Sequence, residues 1–227
     1  MTGEDNSPTR RHLRVTALEQ QSRRRGVKVY LDDGAPLVMS LEICLQFQLR
    51  VGDELSDARV AEIKDVQSQH AALQSAMRLL TYRPRSEAEL RDRLAQQGVV
   101  AGVLEATIAR MRELRLIDDE AFARDHVTRR DRTSPRGRRL VASELRAKGI
   151  ERGIAAQSVA TLVDDDAAYR AALRRAIPLA ALTYTQFRRR LTDFLLRRGF
   201  DHEVTRAVVA RIWEEAGREA PTDDGED

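Results

Sequence analysis

The chain has one cysteine, Cys44, which excludes an internal disulfide framework and a cysteine-based zinc site. Cys44 lies between Ile43 and Leu45 and reads as a small buried side chain. No apolar run approaches the ~20 residues of a membrane span. The stretch from Met1 to Arg14 is polar and lacks an apolar signal-peptide core. These absences predict a soluble, cytoplasmic chain. Aromatics make up only 4% of the 227 residues, and lysine is nearly missing: of 39 basic residues only Lys28, Lys64 and Lys148 are lysines. The rest are arginines, planar and always charged, suited to phosphate and carboxylate.

What is present is a change of period. Residues 1–11 show none and read as a disordered lead. Residues 12–55 read as a small β/α segment. Val27 to Leu31 alternates, Asp32 to Ala35 supplies a turn, and Pro36 to Met39 returns. His12 to Leu18 is a third strand candidate, and Ser40 caps a short helix from Leu41 to about Gln48. From Ser56 the apolar period becomes 3.6. Ser56 caps a connecting helix over 56–69, which continues or restarts through Ala72, Ala76 and Leu80 until Pro84 ends it.

Three glycines, Gly98, Gly149 and Gly199, are spaced 51 and 50 residues apart, and their surroundings align. Eight residues before them stand Leu90, Val141 and Leu191; four before, Leu94, Leu145 and Leu195. Ten after stand Ile108, Val159 and Val209; thirteen after, Met111, Leu162 and Ile212. Twenty-two before stand Ala76, Val127 and Ile177. Every one of these positions is apolar, at spacings that share a helical face, so they form the predicted core. Each glycine falls where a helix C′ residue belongs. Ser86 with Glu89, Ser134 with Pro135, and Thr183 with Gln186 read as caps of the three middle helices. Asp118 and Asp164–Asp166 favour the N-termini of the first helices. The fold class is therefore mainly α: tandem three-helix repeats over 70–116, 117–163 and 164–217, in an elongated curved array. Residues 218–227 form an acidic tail read as disordered.

No catalytic constellation appears. There is no GxxxxGK[ST], no GxGxxG after a strand and no GxSxG. His12, His70, His126 and His202 are scattered and read as surface or cap residues. Asp164–Asp166 reads as helix capping before a cation site. No cofactor, metal or enzymatic activity is expected. Charge is more informative. Residues 1–69 sum to −1, residues 70–218 to +9 and residues 219–227 to −5, which makes the overall +3. Arg146, Lys148, Arg197 and Arg198 precede glycines at helix ends, where the helix dipole explains them. Arg138, Arg139, Arg188, Arg189 and Arg190 are read as first-turn residues, where a cation opposes that dipole, and so as binding residues. Arg129, Arg130 and Arg132 extend the set. The footprint suits a polyanion or an acidic protein face. Stacking on single strands is weakly supported, since Phe187, Phe194 and Trp213 read as core.

Several stretches carry a family resemblance. They are Ala76-Met77-Arg78-Leu79-Leu80 through Arg83-Pro84-Arg85-Ser86-Glu87-Ala88-Glu89-Leu90, then Leu116-Ile117-Asp118-Asp119-Glu120-Ala121-Phe122-Ala123, then Pro135-Arg136-Gly137 with Glu144-Leu145-Arg146-Ala147-Lys148-Gly149. In this order they resemble the RecX family, bacterial modulators of the RecA recombinase, over about 70–217. Val27 to Leu31 and Leu49 to Leu55 resemble the leader of its longer members. The resemblance implies a non-enzymatic regulator that binds the groove of the RecA–single-stranded DNA filament. There it would restrain ATP hydrolysis, strand exchange and filament growth, with weaker contact to single- or double-stranded DNA. An array whose end copies differ in sequence is expected to be a monomer. The competing expectation is a stand-alone arginine-rich DNA-binding repeat protein.

Overall fold

The computed structural model describes residues 12–21 and 26–217. The expected lead and tail lie outside the described residues. Contacts divide the chain into two compact units. One comprises residues up to Tyr82 with Arg93–Met111; the other comprises Arg83–Asp92 with residues from Arg112 onward.

In the first unit four strands form an antiparallel sheet: β1 (His12–Gln21), β2 (Gly26–Leu31), β3 (Leu37–Ser40) and β4 (Glu54–Ser56), in the order β3-β2-β1-β4. Alternation in β2 buries Val27 and Val29 on one face. Ser40 ends β3 and caps α1 (Leu41–Gln46), its hydroxyl accepting from the Ile43 amide at 3.2 Å. Val15, Val29, Met39, Ile43, Cys44, Leu49 and Ile63 close this core. The periodicity did not reveal β4. It is three residues long and pairs Leu55 with Leu13 of β1, a register that only the folded sheet supplies. The Ser56 hydroxyl accepts from the Arg59 amide and starts α2 (Asp57–Tyr82). This helix is unbroken for 26 residues, so the expected boundary at residue 70 falls inside it.

The later part of α2, with α3 (Glu87–Gln96) and α4 (Ala101–Glu113), forms the first three-helix repeat. The second repeat is α5 (Asp119–Thr133), α6 (Arg138–Ala147) and α7 (Arg152–Val159). The third is α8 (Asp164–Ala176), α9 (Tyr184–Arg197) and α10 (His202–Glu215). Leu90, Leu94, Val141, Leu145, Leu191 and Leu195 are fully buried, as the repeat predicts. The three glycines have φ of +82°, +79° and +84°, the left-handed region a side chain disfavours. Phe187 and Trp213 are core, with ring centroids 5.1 Å apart.

Four expectations need correction. Ile177 is 75% exposed rather than core. Pro178 follows it, α8 stops at Ala176, and a 3-10 turn over Ile177–Leu179 buries Leu179 instead. Ser134 does not cap α6. It is the C-cap of α5, and α6 begins at Arg138 with Gly137 at its N-cap. The third middle helix begins after Thr183, whose side chain makes no capping bond. That start lies one turn further from its glycine than in the other copies, so Arg188–Arg190 occupy the second turn, not the first. Finally, His126 is not a surface residue: it is 3% exposed.

Candidate functional site

The second unit contains two joints between repeats, and both are built from the same parts. At the first, the N-cap Ser86 of α3 is fully buried. Its hydroxyl donates to the Lys148 carbonyl at 2.5 Å and accepts from the Glu89 amide at 3.1 Å. The Glu87 amide donates to the Asp119 carboxylate at 2.8 Å. At the second joint, the N-cap Gly137 of α6 donates its amide to the Arg198 carbonyl at 2.9 Å. The Arg138 amide donates to the Asp164 carboxylate at 3.0 Å. In each case the middle helix of one copy is capped by the next copy. The acceptors are the residue before that copy's glycine and an aspartate opening its first helix. These contacts satisfy orphan helix-terminal groups across a joint. Burial raises the pKa of Asp119 against the pull of the Glu87 N–H.

The joints differ in charge. At the first, Glu89 meets Arg83 and Lys148, each at 2.8 Å. Burial pushes its carboxyl up, but those hydrogen bonds outweigh burial and hold it below the usual carboxylate range. At the second, the half-buried Arg198 guanidinium meets only neutral oxygens, Ser134 Oγ at 3.2 Å and the Pro135 carbonyl at 3.1 Å. Replacing Ser86 with alanine removes the cap and orphans the Lys148 carbonyl. The expected cost is about 2 kcal/mol, read by urea unfolding; a loss below about 0.5 kcal/mol would contradict the assigned role.

Inside the second repeat, Glu144 joins Arg130 at 2.7 Å, Arg136, and the buried His126 at 3.0 Å. Burial raises the Glu144 pKa, but hydrogen bonds from His126 and Arg130 outweigh it and lower the value overall. Burial also lowers the pKa of His126, and Arg130 and Arg129 add to that against the pull of Glu144. Both shifts weaken the fold in acid. A histidine depressed below its ordinary 6.5 gives its stability above that value and loses it as pH falls through the folded pKa. A carboxylate depressed below 4.5 loses its contribution only at lower pH. The melting temperature should therefore fall between about pH 7.5 and 5.5. His126→Gln should abolish that decline and leave the one below about pH 4.5; an unchanged decline in the variant would refute it.

The expected binding arginines separate into two groups. Arg138 pairs with Asp164 at 3.3 Å, and Arg130 pairs with Glu144, so both serve the fold. Arg129 lies 3.5 Å from the His126 ring. Arg139, Arg189, Arg190 and Arg132 are exposed with no acidic partner among the described residues, and Arg188 lies over the Tyr184 ring at 5.7 Å. Arg139 borders a cleft of about 600 Å³ between the second and third repeats, together with Arg146, Arg152, Leu140, Gly199 and Phe200. Arg146 and Arg152 escaped the sequence reading. In sequence the helix dipole accounts for Arg146, and Arg152 opens a short helix next to no other cation. Among the described residues no His, Cys, Asp or Glu cluster suits a metal, and no helix is long and apolar enough to cross a membrane.

Models of three RecX domains match the chain in order: the first three-helix domain over residues 72–111, the second over 118–159 and the third over 164–209. The regulatory protein RecX of Geobacillus kaustophilus is 32% identical over 205 residues, spanning 86% of this chain and 75% of that protein. That of Enterococcus faecalis is 36% identical over 138 residues, spanning 60% and 52%. A crystal structure of a regulatory protein RecX superposes with a TM-score of 0.64 at 22% identity, covering 86% of this chain and 98% of the other. Another, RecX from Lactobacillus salivarius, gives 0.59 at 20% identity over 65% and 97%.

Proposed function

Because the chain belongs to the RecX family of regulatory proteins, we propose that it binds the RecA–single-stranded DNA filament and restrains RecA's ATP hydrolysis, strand exchange and filament growth. The observation that supports this reading most strongly is the ordered match of all three domains. The chemistry agrees with it. The second and third repeats present exposed arginines without acidic partners among the described residues. Contacts spread over tandem repeats add through effective concentration, so a modest affinity per repeat suffices. The partner face is acidic or anionic, and Arg139, Arg188, Arg189 and Arg190 are the residues that meet it.

Two measurements test this. Titrated below stoichiometry, the chain should inhibit RecA's DNA-dependent ATPase; no effect at any ratio would overturn the reading. Reversing Arg139, Arg188, Arg189 and Arg190 to glutamate should weaken inhibition about tenfold or more while leaving the unfolding midpoint nearly unchanged. Arg138 is left intact in that variant because its pair with Asp164 joins two repeats. Full inhibition by the variant would remove these arginines from the interface.

A further inference from the structure

A second cleft, with no residue in common with the one beside Arg139, lies between the second and third repeats and measures about 280 Å³. Arg132 and Ser134 border it from the second repeat, Arg174, Arg175 and Arg198 from the third. We propose that this cleft binds a backbone phosphate of a nucleic-acid strand, and that the bound phosphate ties the two repeats together.

The charge distribution carries the argument. Arg170, also at the cleft, is paired with Asp131. Arg132, Arg174 and Arg175 are exposed and have no acidic partner among the described residues. Arg198 is half-buried, lies 4.6 Å over the Phe194 ring, and donates only to the neutral oxygens of Ser134 and Pro135. Its neighbour Arg136 is another cation, already held by Glu144. Burial followed by Arg136 lowers the Arg198 pKa, as expected of a charge short of an anion. The helix dipole accounts for Arg174 and Arg175 in the last turn of α8. It does not account for their meeting Arg132 and Arg198, which come from two other helix ends.

The ligand class follows from shape and donors. Guanidinium forks match tetrahedral phosphate oxygens in pairs, and the Ser134 hydroxyl adds a donor. The one aromatic ring at the cleft, Phe194, is faced by Arg198, so no base-stacking platform is offered. Contact is therefore to the backbone and indifferent to sequence. Since the donors come from both repeats, a bound strand adds ties across a joint that otherwise holds Arg198 with neutral acceptors.

This assignment stands without the RecA reading, and its test uses no RecA. A fluorescent thymidine oligonucleotide is titrated with the full chain at several salt concentrations. Arg174→Glu with Arg175→Glu should weaken binding at least about tenfold and reduce the salt slope by about one. The charge-matched pair Lys64→Glu with Arg206→Glu, exposed and outside both clefts, should weaken it far less. The oligonucleotide should raise the melting temperature of the natural chain and not that of the Arg174/Arg175 variant. Binding unchanged in that variant, or lost equally in the control, overturns the site. Poly-glutamate that binds as tightly as the oligonucleotide, and is lost in the same variant, overturns the nucleic-acid assignment in favour of an acidic protein face. Circular dichroism of both variants confirms that the fold is retained.

Discussion

Gly137→Ala should destabilise the second unit by about 3 kcal/mol or more. An added methyl group at Gly137 would collide with the backbone carbonyl of Gly199 and stand 2.8 Å from the Phe200 amide nitrogen. Backbone cannot step aside as the end of a side chain can. The φ of Gly137 is −64°, a value alanine adopts freely, so without the collision the change would cost only the N-cap preference for glycine over alanine, about 1 kcal/mol or less. Gly199→Ala and Gly149→Ala should also be severe. A Cβ at Gly199 would lie 2.5 Å from that of Leu140, and one at Gly149 would collide with that of Ala88. Gly98 shares their positive φ, but nothing lies within 4 Å of the place a Cβ would take. Gly98→Ala should therefore cost only the conformational penalty, about 1–2 kcal/mol. Gly153, at the start of α7 with ordinary φ and only the Glu151 carboxylate at 3.6 Å, should gain up to about 0.5 kcal/mol as alanine. Urea unfolding of the five variants checks the order. Equal losses at Gly98 and Gly149 would show that backbone conformation, and not the close approach of repeats, sets their identity.

Glu144→Gln should cost about 2–4 kcal/mol. The carboxylate is 15% exposed, and Arg130 and Arg136 are each about a third exposed. Removing the negative charge strands two guanidiniums beside a buried histidine. Because the arginines keep some water, the loss falls below that of a fully buried pair. Replacing the cluster as a whole is a different matter. Glu144→Leu combined with Arg130→Met and Arg136→Met removes the charges together, and such exchanges are often close to neutral. The combined variant should therefore recover most of the stability that Glu144→Gln loses. Thermal and urea unfolding of both variants gives the comparison; equal losses would mean that the three residues act through packing rather than charge.

The residues that repeat within each copy could be read from the chain. Glycines at equal spacing with apolar residues at fixed offsets placed three helices in each repeat and most of the core. What crosses from copy to copy could not be read this way. Asp119 and Asp164 cap helices that begin 32 and 26 residues earlier, and no local pattern announces a cap at that distance. The same holds for His126, whose partner Glu144 is 18 residues away on another helix. The three glycines look alike in sequence because all three end helices. Only Gly149 and Gly199 also receive a neighbouring copy, so the strict need for glycine is visible only in the folded chain. Ser134-Pro135 has the composition of a helix start, yet it ends α5, because the Gly137 amide is already engaged by the Arg198 carbonyl. Of the arginines expected to bind, Arg130 and Arg138 pair with acids; Arg146 and Arg198, which the helix dipole explains in sequence, and Arg174 and Arg175, which no sequence pattern marks, border clefts instead.

The filament is the partner on which the functional account turns. Co-sedimentation measures it directly, comparing RecA–single-stranded DNA filaments, the same DNA without RecA, and RecA without DNA. The account predicts that the chain pellets with filaments at concentrations well below those needed for DNA alone, and that charge reversal at Arg139, Arg188, Arg189 and Arg190 removes that preference. Equal pelleting with filaments and with bare DNA would contradict it and identify a stand-alone DNA-binding repeat protein instead.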